Sequence, residues 1–202
     1  MAEELFGSTL FTAVEREDPA AGMLLVAAPG LDNEFLTRSV VLLLEYSHRF
    51  TVGINLTARS ETAVFNVLPE WASFAAKPQA IYIGGVLEQQ AVLGIGVTAT
   101  GVDIVAEPHL DRIANRLAMV DLQADPEAMR SKLDGMRFFA GFMQWQPGEL
   151  EAEIESGDWF VTPALPSDVI APSNIDVWGE IMRRQGMPLA VYSTFPENIN
   201  DN

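Results

Sequence analysis

The sequence predicts an α+β fold built on a mixed β-sheet. Three observations carry that reading: short apolar runs bounded by glycine, proline or polar clusters, capped segments of helical length scattered among them, and several connections of hairpin length. A chain of 202 residues suits a single domain, since domains commonly run ~100–200 residues. With 49% apolar residues and 20% charged ones, it is long enough to bury a sizeable core without staples.

Residues 1–21 read as an irregular N-terminal extension, because a helix over 3–14 is weakened by Gly7-Ser8 and ended ahead of Pro19. One folded domain is expected over 22–195, with a polar tail at 196–202. Residues 23–28 and 39–45 are apolar runs short enough for buried strands, and 51–56 follows closely enough to form a hairpin with the second. Thr62 is a candidate cap for a helix from Ala63, re-aimed at Pro69 and continuing through Trp71 and Phe74. Strands are expected at 80–83, 91–97 and 102–106, with Gly84-Gly85 permitting a tight turn or a close backbone approach.

Asp125-Pro126-Glu127 opens a helix that stops before Gly135, and 136–143 is an aromatic-rich strand. Pro147 is the expected first residue of a helix that Gly157 ends, placing Leu150 and Ile154 on its inward stripe. Residues 159–162 form a short strand, and Ser173 with Asp176 opens a last helix closing at Gly186.

Twenty-eight acids against 12 bases give a formal charge of −16. The excess lies in both halves: residues 1–106 carry 12 acids and 5 bases, residues 107–202 carry 16 and 7. Nucleic acid binding depends on phosphate neutralisation by Lys and Arg, so a chain this acidic is repelled at long range, and anionic lipid is disfavoured likewise. The absence of cysteine excludes disulfides and thiolate chemistry and suits a reducing compartment. No signal-like start and no run of ~18 apolar residues is present, so the expectation is a soluble cytoplasmic protein.

The serine-hydrolase, phosphate-loop and zinc-protease motifs are missing. Any imidazole chemistry rests on His48 or His109, each of which reads more simply as a surface or capping residue. Glu149, Glu151, Glu153 and Glu155 form the densest acidic stretch; paired carboxylates can hold a cation, but acids near a helix N-terminus also simply favour its dipole. Arg38 stands at the start of a strand, where its fork can pair a carboxylate or bind an anionic ligand. Trp71, Trp145, Trp159 and Trp178 read as core anchors, and Trp145 and Trp159, which bracket the acidic helix, can also wall a groove.

Gly22 to Leu31, then Phe35-Leu-Thr-Arg38-Ser-Val-Val, Gly53-Ile-Asn55-Leu, Ile83-Gly84-Gly85, and above all Ala140-Gly-Phe-Met-Gln-Trp145-Gln-Pro-Gly148-Glu-Leu-Glu-Ala-Glu153-Ile with Trp159 and Pro163 downstream, resemble the AlgH/YqgE family of bacterial proteins. The likeness spans about residues 22–185. This chain departs from the family pattern at Val86, where proline is common, at Tyr46, where histidine often follows the glutamate, and at Leu56-Thr57. The resemblance implies a curved, barrel-like mixed sheet with short flanking helices and no established activity, although some members bear a transcriptional-regulator label.

The leading expectation is therefore a non-enzymatic binding or regulatory protein, monomeric or homodimeric, with a protein or small-molecule partner and neither cofactor nor metal. Its candidate ligand residues are Arg38, Glu45, Asn55, Gly84, Gly85, Trp145, Gly148, Glu153 and Trp159. The alternatives are an enzyme of unknown class using Arg38 with Glu45 or Glu153, with catalytic residues not identified, and a DNA-binding regulator.

Overall fold

The computed structural model describes residues 17–194 except 32 and 34. The helix considered for 3–14 and the tail from 196 lie outside the described residues.

β1 (Met23–Ala27), β2 (Val40–Tyr46) and β3 (Thr51–Asn55) stand where the apolar runs predicted, and β2 and β3 form the expected hairpin. Leu24, Leu25, Val26 and Ala27 are all buried, because both faces of this strand are covered; that is why it reads as a continuous apolar run. Leu24 and Val26 face a cluster with Leu42, Ile54 and Trp178. Leu25 and Ala27 face another with Val41, Trp145, Leu150, Ile154 and Trp159.

β4 (Arg59–Ala63) is an exposed, polar strand paired with β5 (Ala80–Ile83). Thr62 lies inside β4 and is not a helix cap: α1 (Val64–Val67) is a single turn entered from an extended Ala63 with no side-chain cap. Pro69 redirects the chain as expected, into a 3-10 segment, Pro69–Phe74, that buries Trp71 and Phe74.

β6 (Leu87–Thr98) and β9 (Leu133–Trp145) are the longest strands. β9 joins the two halves of the sheet. One of its edges pairs with β6; the other pairs in parallel with β5 at Phe138–Ala140 and then antiparallel with β3 at Met143–Trp145. The changeover falls at Gly141, whose φ is 71°. Gly84-Gly85 is a close approach to that point: a Cβ on Gly85 would sit 2.1 Å from the carbonyl carbon and oxygen of Phe142, and one on Gly84 would sit 2.3 Å from the oxygen of Gly141.

Three expectations need correction between 98 and 148. Residues 102–106 are no strand; Asp103 accepts a hydrogen bond from Val105 N at 3.2 Å and starts a 3-10 turn, Ile104–Ala106. The hairpin of β7 (Leu110–Ala114) and β8 (Leu117–Val120) follows instead, unannounced in sequence because Asp111 and Arg112 interrupt its apolar pattern. From Pro126 the helix α2 (Pro126–Met129) lasts one turn, since β9 already begins at Leu133. Pro147 precedes α3 (Glu149–Ser156) rather than starting it, because Gly148, at φ 86°, occupies the cap; Gly157 ends it at φ 89°.

β10 (Trp159–Pro163), α4 (Pro166–Val169), α5 (Val177–Arg184) and a 3-10 segment, Leu189–Thr194, complete the described chain. Asp176 caps α5 by accepting from Gly179 N at 3.1 Å. The strand order is β10-β1-β2-β3-β9-β6-β8-β7, antiparallel throughout except where β5 joins β9. This sheet curls into a half-barrel: its far ends approach until a Cβ on Gly22 would lie 2.1 Å from that of Ala114. One amphipathic helix, α5, fills the shared inner face with Trp178, Ile181 and Met182. No helix among the described residues is long and apolar enough to cross a membrane.

Candidate functional site: an arginine-lined cleft

A cleft of about 490 Å³ opens beside the first turn of α5, between the 37–38 turn, the chain leaving β3, and β5 with β9. It gathers Arg38, Arg59 and Arg137 in a chain that is otherwise strongly acidic.

Arg137 is placed there by strand alternation. Met136 and Phe138 point into one apolar cluster, so Arg137 shares the opposite face with Phe139 and, across the β5–β9 pairing, Tyr82. Its residue is only 3% exposed. The guanidinium lies 4.4 Å over the Tyr82 ring, and its Nη2 donates to Ala171 O at 2.8 Å and Lys77 O at 3.3 Å. Its Nε is buried with no protein acceptor, and no carboxylate pairs with it among the described residues. Burial pulls this guanidinium below the ordinary arginine range, with Tyr82 opposing the shift.

Arg38 sits at φ 54°, a left-handed backbone that costs a residue with a Cβ roughly 1–2 kcal/mol. The turn before it is built on Asn33, whose Oδ1 accepts from Phe35 N at 3.0 Å while its carbonyl accepts from Thr37 N at 2.9 Å. Arg38 stacks 4.2 Å over Trp178 and pairs with the Asp176 carboxylate. Arg59, at the start of β4, reaches the cleft from its exposed rim.

The remaining predicted residues are not in this cleft. Asn55 is buried, with Oδ1 accepting from Thr57 N at 2.9 Å and Thr57 Oγ1 at 2.8 Å, and its backbone N donates to Gly84 O at 2.8 Å. Gly84 and Gly85 lie against Gly141 and Phe142, and Glu45 is exposed near the end of β2. Trp145, Gly148, Glu153 and Trp159 gather around α3, where a single oxygen, Glu153 Oε2, accepts both indole N–H groups, at 3.0 Å from Trp145 and 2.7 Å from Trp159. The other acids of that helix are engaged as well: Glu149 accepts from Gln146 N and Glu151 from the Tyr46 hydroxyl. Among the described residues no group of His, Asp and Glu is arranged to hold a metal.

Tyr46 and Glu151 also border a second recess with His48 and Gly148. The Tyr46 hydroxyl, donating at 2.6 Å, holds the Glu151 carboxyl below its ordinary range. A lowered carboxylate pKa stabilises the fold above the unfolded value, and that contribution fades as pH falls through the folded one. Tyr46→Phe is therefore expected to move the Glu151 titration upward in an NMR pH series; an unmoved curve would mean the bond does not form.

Reasoning from sequence missed Arg59, Arg137, Tyr82 and Ser173. One signal was available: Arg137 is the only charge in the apolar run from Met136 to Met143, and a charge on a core strand needs a reason.

The AlgH-like family model matches residues 24–190. The chain belongs to the AlgH-like family. A UPF0301 protein of Corynebacterium efficiens is 56% identical over 199 residues, covering 98% of this chain and 99% of its own length. A UPF0301 protein of Mycobacterium tuberculosis is 44% identical over 182 residues, 90% of each. The crystal structure of a Corynebacterium diphtheriae protein superposes with a TM-score of 0.91 at 58% identity, covering 94% of this chain and all of the other. The solution structure of AlgH from Pseudomonas aeruginosa, at 18% identity and a TM-score of 0.62 over 91% of this chain and 98% of its own, shares the AlgH-like fold.

Proposed function

We propose that this AlgH-like protein is a cytoplasmic, non-enzymatic binding or regulatory protein whose ligand is a small anion held by Arg38, Arg59 and Arg137. The observation that carries this reading is Arg137: a buried cation with an unpartnered Nε, in the wall of an open cleft. Leaving a buried charge without a counter-ion costs several kcal/mol. An anion in the cleft that Arg137 lines supplies a counter-charge beside the buried guanidinium, and the forks of Arg38 and Arg59 match carboxylate or phosphate oxygens. Among the described residues lining the cleft the one carboxylate, Asp176, is already engaged with Arg38 and the α5 cap, and none is a histidine or lysine that could move a proton. These features favour binding over catalysis. The enzyme alternative finds little support here, since Glu45 and Glu153 lie away from Arg38.

Titration with inorganic phosphate at low salt, read by calorimetry and by melting temperature, tests the proposal. Binding is expected, weakened about tenfold by Arg59→Gln on the exposed rim and abolished by Arg137→Gln; a ligand at 100 times its Kd raises stability by ~2.7 kcal/mol. Absence of any heat or thermal shift with phosphate removes the proposal. Duplex DNA is expected to show no binding at ~150 mM salt, given the net charge of −16.

A further inference from the structure

The hydrogen bonds around the arginine cleft specify more than the sign of the ligand's charge. Guanidinium groups only donate. The cleft's two threonines are committed the other way: Thr57 Oγ1 donates to Asn55 Oδ1 at 2.8 Å, and Thr37 Oγ1 donates to Asn33 O at 3.0 Å. Each hydroxyl has one proton, and in both cases a protein oxygen accepts it, at Thr57 in a half-buried bond and at Thr37 in an exposed turn, so what these residues offer a bound molecule is acceptor lone pairs. A ligand that meets the arginines and these two hydroxyls brings an anion for the former and hydrogen-bond donors for the latter, while the Ser173 and Tyr82 hydroxyls in the same wall can serve either role.

Charge narrows the anion. Among the described lining residues three guanidiniums face one carboxylate, Asp176, an excess of about two positive charges that a phosphomonoester, at about −1.5 to −2 near pH 7, neutralises more fully than a monocarboxylate. Resting on the anion-binding reading above, we infer that the cleft takes a hydroxylated phosphomonoester of the sugar-phosphate class. Its phosphate lies at Arg137 and Arg59, and its hydroxyls donate to Thr57 and Thr37. A cleft of about 490 Å³ is within the ordinary range for small-molecule sites.

Calorimetry on the full chain with glucose 6-phosphate, methyl phosphate and glucose separates the parts of this inference. Glucose 6-phosphate is expected to bind at least about tenfold more tightly than methyl phosphate, and glucose alone not at all. Thr57→Val is expected to reduce glucose 6-phosphate affinity to the methyl phosphate level while leaving methyl phosphate unchanged, and Arg59→Gln to weaken both; circular dichroism checks that each variant is folded. Equal affinity for the two phosphates, or an equal loss for both in Thr57→Val, overturns the hydroxylated ligand and leaves the anion site standing. If neither phosphate binds, the anion-binding reading falls with it.

Discussion

An alanine at position 85 is expected to cost the protein on the order of 4 kcal/mol or more, enough to leave much of it unfolded at physiological temperature. Its Cβ would stand 2.1 Å from both the carbonyl carbon and oxygen of Phe142 and 2.5 Å from Met143 N. All three are backbone atoms, so no rotamer change relieves the overlap. Either the 84–85 segment withdraws or β9 shifts, and β9 is the strand to which β3, β5 and β6 are all bonded. Gly30→Ala is the contrasting control: that residue has a left-handed φ of 85°, which Gly85 lacks, and open space around it, so only the conformational cost of about 1 kcal/mol applies. Urea denaturation gives both values from the midpoint at unchanged slope. Should Gly85→Ala lose no more than Gly30→Ala, the close approach cannot be what that glycine serves.

The second large effect is expected at Glu153. One carboxylate oxygen accepts from the indoles of Trp145, at the end of β9, and Trp159, at the start of β10, and so ties α3 to both strands. Both tryptophans are buried, at 5% and 3% exposure. Glu153→Ala strands two indole N–H groups, and with each unmet donor costing ~1–3 kcal/mol the expected loss is about 2–6 kcal/mol. Glu153→Gln keeps an acceptor oxygen and is expected to cost about 1 kcal/mol, the difference between a charge-assisted bond and a neutral one. Tryptophan fluorescence during urea unfolding reads both. Equal losses in the two variants would sink the idea that the oxygen, rather than helix packing, holds the indoles.

Much of the strand framework was legible because burial on both faces leaves a plain mark. The runs at β1, β2 and β3, the aromatic stretch of β9 and the glycine that ends α3 all announced themselves. β4, β7 and β8 did not. β4 is polar and exposed, and β7 carries Asp111 and Arg112, so their strand geometry comes from the partner's hydrogen bonds and not from their own pattern. The candidate site was legible only at Arg38. Gly84, Gly85, Trp145, Glu153 and Trp159 stood out by type and spacing, yet the glycines serve a backbone contact and the tryptophans a shared carboxylate.

Composition and periodicity determined the α+β class and the net acidic charge that opposes polyanions, and the motifs from Gly22 to Leu31 and from Ala140 to Ile154 carried the family resemblance, since each depends on local pattern or on summed charge. Which arginines would meet was decided by the tertiary structure. Arg38, Arg59 and Arg137 are far apart in the chain and converge because β9 bridges two half-sheets while α5 closes the inner face. Convergence of that kind depends on strand order and curl, which follow from long-range pairing and packing and leave no local signal in the residues that meet.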